Sequence, residues 1–415
     1  MASEESEISS LAESFNQRSK GVEPIDGYYA GGYHHTYLGD VYQDRYKVIH
    51  KLGHGAYSTV WLARDLQGDR NVALKILTSE SSSTSSEPQI LRVLSSGSQD
   101  HPGSPYVCHL LDEFWLDGPS GRHLCLVLRP AGCSVSDSKK DSGRWKFPLG
   151  VARSISAQTF AGLDYIHSCG VVHGADLHIG NILLQLPELE HYNEAEILQR
   201  FGEPERVPVE KSADDPRFPK YRVSPIMTTI SCDDVPANAK IIISDFGQSF
   251  LASERHDALQ TPEILAPPEH FFGGELSSPV DVWTLAMTTY EILSNCGLWE
   301  LYWPDPDSVI AEMVNALSRP PKLWWDKWEN RSEFFTDDGA PIDADERPLS
   351  LRLREMDRDD EIGEDELTSL EELFRGMLKY EPSKRLTASE AAASNWIVRW
   401  ARPNLLGGAA GNDVE

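Results

Sequence analysis

The spacing of hydrophobic positions changes once along the chain. From Tyr46 to Leu77 they alternate with polar residues in three short runs, YKVIHKLG, STVWLARD and NVALKIL, with Gln67-Gly68-Asp69 turning the chain before the third. Alternation with period two predicts an antiparallel sheet of at least three strands. The Ser-rich stretch Ser79 to Ser86 reads as a loop. It leads into EPQILRVLSS, whose apolar residues at helical spacing predict a helix with Pro88 tolerated in its first turn. Tyr106–Leu116 and His123–Leu128 read as another strand pair. From Leu149 the period becomes helical: VARSISAQTFAGLDYIHSCG predicts a long apolar-faced helix ending near Gly170, and further helices are expected around 280–294, 308–318, 367–379 and 387–400. Two strand-like pieces, NILLQL and KIIISDF, are separated by 187–240, a stretch rich in Pro, Glu and Asp that reads as an insertion ordered in part at best. Residues 1–23 and 404–415 offer little to bury and read as mobile tails.

A length of 415 residues exceeds one ordinary domain, so one two-lobed unit or two domains are expected. With 40% hydrophobic residues and 11 Trp, wholesale disorder is excluded. No apolar run approaches the ~20 residues that cross a bilayer. The first residues, MASEESEISSLAESF, have neither the order of a secretory signal nor the character of a transit peptide, so cytoplasm or nucleus is the expected setting. Six cysteines without metal-ligand spacing read as reduced and structural. Charge is the unusual feature: 38 basic against 65 acidic residues give -27, which repels nucleic acid and membrane surfaces and favours cationic partners. A monomer with no direct nucleic-acid or membrane partner is expected.

Candidate chemistry lies in a series of short motifs. In GHGAYSTV, residues 53–60, small residues between two strands let backbone N–H groups approach phosphate oxygens, although an ordinary hairpin turn has the same look. Lys75, on the third strand, can hold phosphate charge. Glu87 opens the next helix and can pair with Lys75, with Glu80 as a competitor. In His173-Gly174-Ala175-Asp176-Leu177-His178-Ile179-Gly180-Asn181 a carboxylate and an amide stand between a helix and a strand, where Asp176 can orient a hydroxyl and accept its proton while Asn181 ligates a metal. Asp245-Phe246-Gly247 ends a strand and offers a hard oxygen ligand for Mg2+. Pro268-Glu269, Asp281-Val282-Trp283 and Arg385 complete the series.

In this order the motifs resemble the eukaryotic protein kinase family over about residues 46–400. The resemblance is strongest to the SR-protein kinase group, with the flavour of a fungal member. Gly31-Gly32-Tyr33-His34 with Leu38-Gly39-Asp40 before the first strand, Ser58 in place of the third loop glycine, Val60-Trp61-Leu62-Ala63 and the long insert all match that group. The resemblance implies an α+β, bilobal kinase fold, with a small antiparallel-sheet N-lobe over 24–131 and a mainly helical C-lobe over 132–403 that contains the insert 187–240. It implies ATP and Mg2+ as cofactors: Gly53, Gly55, Ser58, Val60 and Ala73 around the nucleotide, Lys75 on the phosphates and positioned by Glu87. Leu128 would be the gatekeeper, with the Arg129 carbonyl and the Ala131 N–H on adenine. Asn181 and Asp245 would hold metal, and Asp176, Lys75 and His178 would be catalytic. Glu269 and Arg385 should form a buried ion pair, Asp281 should anchor the loop that carries Asp176, and Thr261 should contact that loop.

Two departures stand in the most sensitive place. One residue more than the family's His-x-Asp separates His173 from Asp176, so either the backbone bulges or His173 loses the spine position usual in that family. His178 replaces the family's Lys and would be mostly neutral at pH 7. A kinase-fold protein that binds nucleotide without efficient catalysis is therefore an alternative, and a small-molecule phosphotransferase is a second, since HGADLHIGN resembles the HGDLHxxN loop of aminoglycoside and choline kinases. The expected substrates are basic Arg/Ser-rich proteins. Between Glu333 and Glu372 stand about 16 acidic and 4 basic side chains, with Asp357, Asp359, Asp360 and Glu361 among them; the resemblance implies docking of Arg-rich segments here, and a solvated charge run is the plain alternative.

Overall fold

The computed structural model describes residues 21–213, 215–342, 345–358 and 360–406. Its first strands make one antiparallel sheet in the order β1-β2-β3-β4-β6-β5: β1 Val41–Tyr42, β2 Tyr46–His54, β3 Ser58–Asp65, β4 Arg70–Leu77, β5 Asp112–Gly118 and β6 Gly121–Leu128. Between β4 and β5 come helices α1 Ser79–Thr84 and α2 Glu87–Ser96. The Ser-rich stretch is thus a short helix and not a loop. Thr78 caps it by accepting the Ser81 N–H at 3.2 Å, and Ser82 Oγ donates back to the Thr78 carbonyl at 2.7 Å.

Alternation on the strands separates two faces. Val48, Trp61, Ala63, Val72, Leu74, Ile76, Cys125 and Val127 are buried together on one. The register pairs Val60 with Lys75 and Ala73 with Leu128, which puts all four on the opposite face.

Later elements are α3 Val135–Lys140, α4 Leu149–Ser168, β7 Val171–Val172 and β8 Ile182–Leu184, then α5 Pro187–His191, α6 Glu194–Phe201, β9 Arg206–Pro208 and β10 Tyr221–Val223. After them come β11 Ile241–Ile243, β12 Phe250–Leu251, α7 Pro268–Phe272, α8 Pro279–Leu293, α9 Pro306–Leu317, α10 Lys322–Lys327, α11 Arg331–Phe334, α12 Leu349–Arg354, α13 Glu364–Met377 and α14 Ala388–Ala392. The long helix α4 stops where expected, at Cys169, with Gly170 at φ 71°. All six cysteines are free thiols.

By contacts the chain divides into two compact units, each discontinuous. The first contains residues up to 95, 108–132 and 185–228; the second contains 96–107, 133–184 and the chain from 229. This corrects two expectations. Residues 96–107 belong with the helical unit, where Val107 bridges Ile243. The inserted stretch, expected in the helical part and at most partly ordered, is mostly built into the sheet unit. Leu189, Ile197 and Ile226 are buried against Ile49 and Leu62, with Leu186, Tyr192 and Phe201 packed around them. Asn71 Nδ2 donates to the carbonyls of Leu189 and Tyr192 at 2.8 and 2.7 Å. Val223 and Tyr221 pack on the Trp61 face, so the insert covers parts of both faces. Its far end lies in the second unit, where Cys232 Sγ donates to the Lys146 carbonyl at 3.1 Å.

The expected tails lie mostly outside the described residues. Val22 and Glu23, however, are buried, 5% and 1% exposed, which moves the start of the folded chain ahead of residue 24.

Candidate active site

In the first unit, β2 and β3 are joined by an exposed loop in which Gly55 N–H donates to the Ser58 carbonyl at 2.9 Å. A Cβ built on Gly53 or Gly55 would meet nothing within 4 Å, so the loop backbone is open to approach by a large anion. Opposite Val60, Lys75 Nζ donates to Glu87 Oε1 at 2.6 Å. Glu87 is 3% exposed at the first turn of α2, a position that lets its carboxylate face the sheet. Glu80, the competitor, instead receives the Tyr29 hydroxyl at 3.3 Å. Leu128 ends β6 with its side chain half-buried on the Lys75 face, and Arg129 and Ala131 follow it outside any regular element.

In the second unit, β8 and β11 are antiparallel and pair Ile182 with Ile243. The residue before β8 and those after β11 therefore emerge at one end of the pair. The Ser244 N–H and Oγ both donate to the Asn181 carbonyl, at 2.9 and 3.0 Å. Asn181 Nδ2 donates to the Asp176 carbonyl at 2.9 Å and to Asp176 Oδ2 at 3.1 Å, which leaves Oδ1 as the Asn181 atom able to face a cation. Asp245 holds φ 60°, a left-handed conformation that Asp tolerates better than most residues, and Phe246 behind it is fully buried.

The loop bearing Asp176 hangs from one carboxylate. Asp281, in the first turn of α8 and wholly buried, accepts the His173 N–H at 2.6 Å, the Gly174 N–H at 3.0 Å, the Ala175 N–H at 2.8 Å and His167 Nε2 at 2.9 Å. Burial alone would raise its pKa, but the His167 bond and its other partners hold it below the usual value. Thr261 Oγ1 donates to the Ala175 carbonyl at 2.6 Å, the contact expected from sequence. Both possibilities raised by the extra residue are answered together. Gly174 and Ala175 bulge with φ of 94° and 58°, and His173 keeps a fully buried place with its ring 5.1 Å from that of Phe246. At the start of α8, where Arg385 also donates to the Pro279 carbonyl at 3.0 Å, Glu269 and Arg385 form the expected pair, with both side chains wholly buried and Nη1 2.6 Å from Oε1.

Electrostatics distinguishes the two ionisable groups in the loop. Burial, and next the Asp245 charge, push Asp176 up to about 7, only partly countered by the Asn181 bond. Burial lowers His178, so its ring is neutral at pH 7. Its Nδ1 accepts the Gly180 N–H at 3.0 Å, which assigns the proton to Nε2, 3.6 Å from Asp176 Oδ1. The lysine's place thus holds a neutral donor.

Within the second unit, the oxygens of Asp245 and Asn181 suit a hard divalent cation. Among the described residues no three His, Cys, Asp or Glu side chains gather as a self-sufficient metal site. A divalent ion held by Asp245 and Asn181 would complete its shell from phosphates and water, as Mg2+ does. Sequence reasoning, which allowed for packing of the end of the insert from Phe218 to Ile230 on the helical part, missed the packing of the insert on the sheet and the burial of Glu23. The insert did carry one signal: Asn193 with Glu196 forms a capping box that starts α6.

The family model for the protein kinase domain matches residues 46–198 and 230–397. The chain is 28% identical to a serine/threonine-protein kinase SRPK of Physarum polycephalum over 91% of each chain. It is equally similar, 28%, to a serine/threonine protein kinase of Aspergillus fumigatus, over 91% of this chain and 90% of the relative. SRSF protein kinase 3 of Homo sapiens is 37% identical, but over 39% of this chain and 29% of its own.

Proposed function

We propose, from the premise that this chain belongs to the protein kinase family and is a serine/threonine kinase, that it phosphorylates Arg/Ser-rich basic proteins using ATP and Mg2+. The observation that carries the nucleotide half of this reading is the Lys75–Glu87 ion pair at 2.6 Å, since an ammonium so positioned can hold phosphate oxygens. Around it, Gly53, Gly55 and Ser58 would line the phosphates, Val60, Ala73 and Leu128 the base, and the Arg129 carbonyl and Ala131 N–H its polar edge. Bound Mg-ATP supplies the transferable phosphoryl group. Asp245 and Asn181 would hold the metal.

Asp176 performs the acceptor chemistry: its carboxylate orients the serine hydroxyl and takes the proton from its oxygen as that oxygen becomes the nucleophile. Asn181 fixes the carboxylate through the bond to Oδ2, and Asp281 fixes the main chain behind it. His178 offers an N–H where the kinase resemblance leads one to expect a lysine, so it can steady an oxygen without neutralising charge. For substrate choice the support is charge: a chain of -27 whose relatives carry SR-kinase names. A monomer working in cytoplasm or nucleus is the setting assigned, and among the described residues no helix is long and apolar enough to cross a membrane.

The test is Mg-ATP-dependent labelling of an Arg/Ser-repeat peptide. Wild type should label it in preference to a neutral Ser peptide or a small alcohol, and Asp176→Asn should lose turnover by orders of magnitude while still being stabilised by Mg-ATP. Nucleotide binding without labelling would select the catalytically silent alternative, and labelling of small alcohols the small-molecule phosphotransferase.

A further inference from the structure

A strap of chain ahead of the sheet, from Gly21 to Tyr37, takes no part in the chemistry above, yet it is fastened to the sheet unit at several places, with His35 Nε2 2.9 Å from the Arg217 carbonyl and the Lys220 N–H on the Tyr37 hydroxyl at 3.1 Å among them. At its start Glu23, 1% exposed, binds Lys51 Nζ and the Tyr28 hydroxyl through its carboxylate, and Arg222 of the inserted β10 donates to the Glu23 carbonyl at 2.5 Å. Lys51 Nζ lies over the Trp61 ring, 5.6 Å from its centroid, so this anchor is on the face of the sheet opposite Lys75. Further along, Gly31 N–H donates to the Ser120 carbonyl at 2.7 Å, and the N–H groups of Glu80 and Ser79 donate to the carbonyls of Gly31 and Gly32 at 2.8 and 3.1 Å.

From Gly27 to Gly32 the chain turns so tightly that neither of these two positions has room for a side chain. A Cβ on Gly32 would lie 2.0 Å from the Gly27 carbonyl oxygen, and one on Gly27 would lie 2.3 Å from the Tyr33 ring. This turn delivers Tyr33 to one place. Its ring packs edge-on against Tyr28 with centroids 5.6 Å apart, the residue is 4% exposed, and its hydroxyl donates to the Gly55 carbonyl at 2.7 Å. The Ala56 carbonyl lies 3.4 Å from the same hydroxyl. A buried phenol on a multiply anchored strap therefore grips the tip of an otherwise exposed glycine loop.

We infer that Tyr33 is a positioning residue for the glycine-rich loop, and that the strap, fastened by Arg222 of the insert, sets how tightly the chain holds nucleotide. A loop with glycines at 53 and 55 samples many conformations, and only a fraction present their N–H groups to phosphate. Apparent affinity falls in proportion to that fraction, so a bond that restricts the loop from behind tightens binding without touching the ligand. The insert thereby acquires a lever on nucleotide affinity, through Arg222, Glu23, the strap and Tyr33. This rests on the reading that the loop binds ATP.

The deciding variant is Tyr33→Phe in the full chain, which removes one oxygen and keeps the ring packing. Without nucleotide, amide exchange across Gly53–Ser58 should quicken about three- to tenfold, the size expected for one net hydrogen bond. Mg-ATP titrated onto the protein should bind about three- to tenfold more weakly, while the KM for peptide stays within about twofold. Arg222→Lys, which keeps the charge and loses the planar fork, should weaken Mg-ATP in the same direction by less. Unchanged exchange and unchanged Mg-ATP affinity in Tyr33→Phe overturn the inference, as does an equal rise in both KM values, which would mark a general structural defect. A wild type that binds no Mg-ATP overturns the nucleotide reading instead, and the exchange measurement still decides whether Tyr33 restrains the loop.

Discussion

Gly174 is where the extra residue before Asp176 is accommodated. At φ 94°, with a would-be Cβ only 2.3 Å from the Gln248 carbonyl oxygen, the position admits no side chain. Gly174→Ala should destabilise the second unit by about 1–3 kcal/mol or more, read from denaturant midpoints, and should lower kcat by moving Asp176. Asp176 itself gives a pH signature in the nucleotide-free protein. Its folded pKa, about 7, lies above the ordinary 3.8, so the charged form penalises folding. The penalty grows as pH rises from about 4 to 7 and is complete above that, reaching a few kcal/mol in order of magnitude. Asp176→Asn should therefore raise Tm clearly at pH 8 and hardly at pH 4. Equal shifts at both pH values would count against the assigned environment. The Asp176–Asn181 spacing was legible from residue identity at a fixed separation, and the Asp281 anchor from the family resemblance carried by Asp281-Val282-Trp283. The left-handed backbone at Gly174 and Ala175 was not, because it depends on Gln248 and Thr261, which are distant in sequence.

Elements were legible where apolar period and length agreed. Strands β2, β3, β4 and β6 and helices α2, α4 and α8 lie within a few residues of their expected places because each presents a regular apolar face, whereas β5 begins six residues after the expected Tyr106 and β1 was not foreseen. The inserted stretch was misread because its Pro and acidic residues mask a sparse set of anchors: Leu189, Ile197 and Ile226 are spread over nearly 40 residues and meet only on the sheet. Composition expects replacement of 190–236 by a Gly-Ser linker to be harmless; the packing predicts the opposite, since Ile49 and Leu62 would lose their cover. Ile197→Ala should destabilise the first unit by roughly 2–4 kcal/mol, and the linker replacement should give insoluble or nucleotide-insensitive protein. A fully active linker variant would show that this cover is dispensable.

At the scale of the whole molecule the acidic run from Glu333 to Glu372 is less free than its charge implies. Lys146 pairs with Asp357 and lies 3.8 Å from Glu361, Arg354 pairs with Glu364, and the buried Glu366 binds Arg153. Asp359 lies outside the described residues. Exposed Asp360, Asp365 and Glu372 make no ion pair among the described residues, and these three are among the charges left to attract a cationic substrate, with exposed Glu333, Asp337, Asp338, Asp345 and Glu346. Reversing the three to Lys should raise the KM for an Arg/Ser-repeat peptide severalfold with little change in kcat, and the difference should shrink from low to physiological salt as screening grows. A KM indifferent to both salt and reversal would leave serine kinase activity without an SR-type preference. The division of the chain into two discontinuous units also has a consequence during synthesis. Ile49 and Leu62 leave the ribosome well before the residues that cover them, with Ile197 following Leu62 by about 135 residues and Ile226 later still. At translation rates of roughly 5–20 residues per second the sheet waits about 7–30 s with an apolar face bare, while the start of the second unit emerges in between. The nascent chain is therefore a natural client for a holding chaperone, and slowing its release risks aggregation more than slowing its chemistry would.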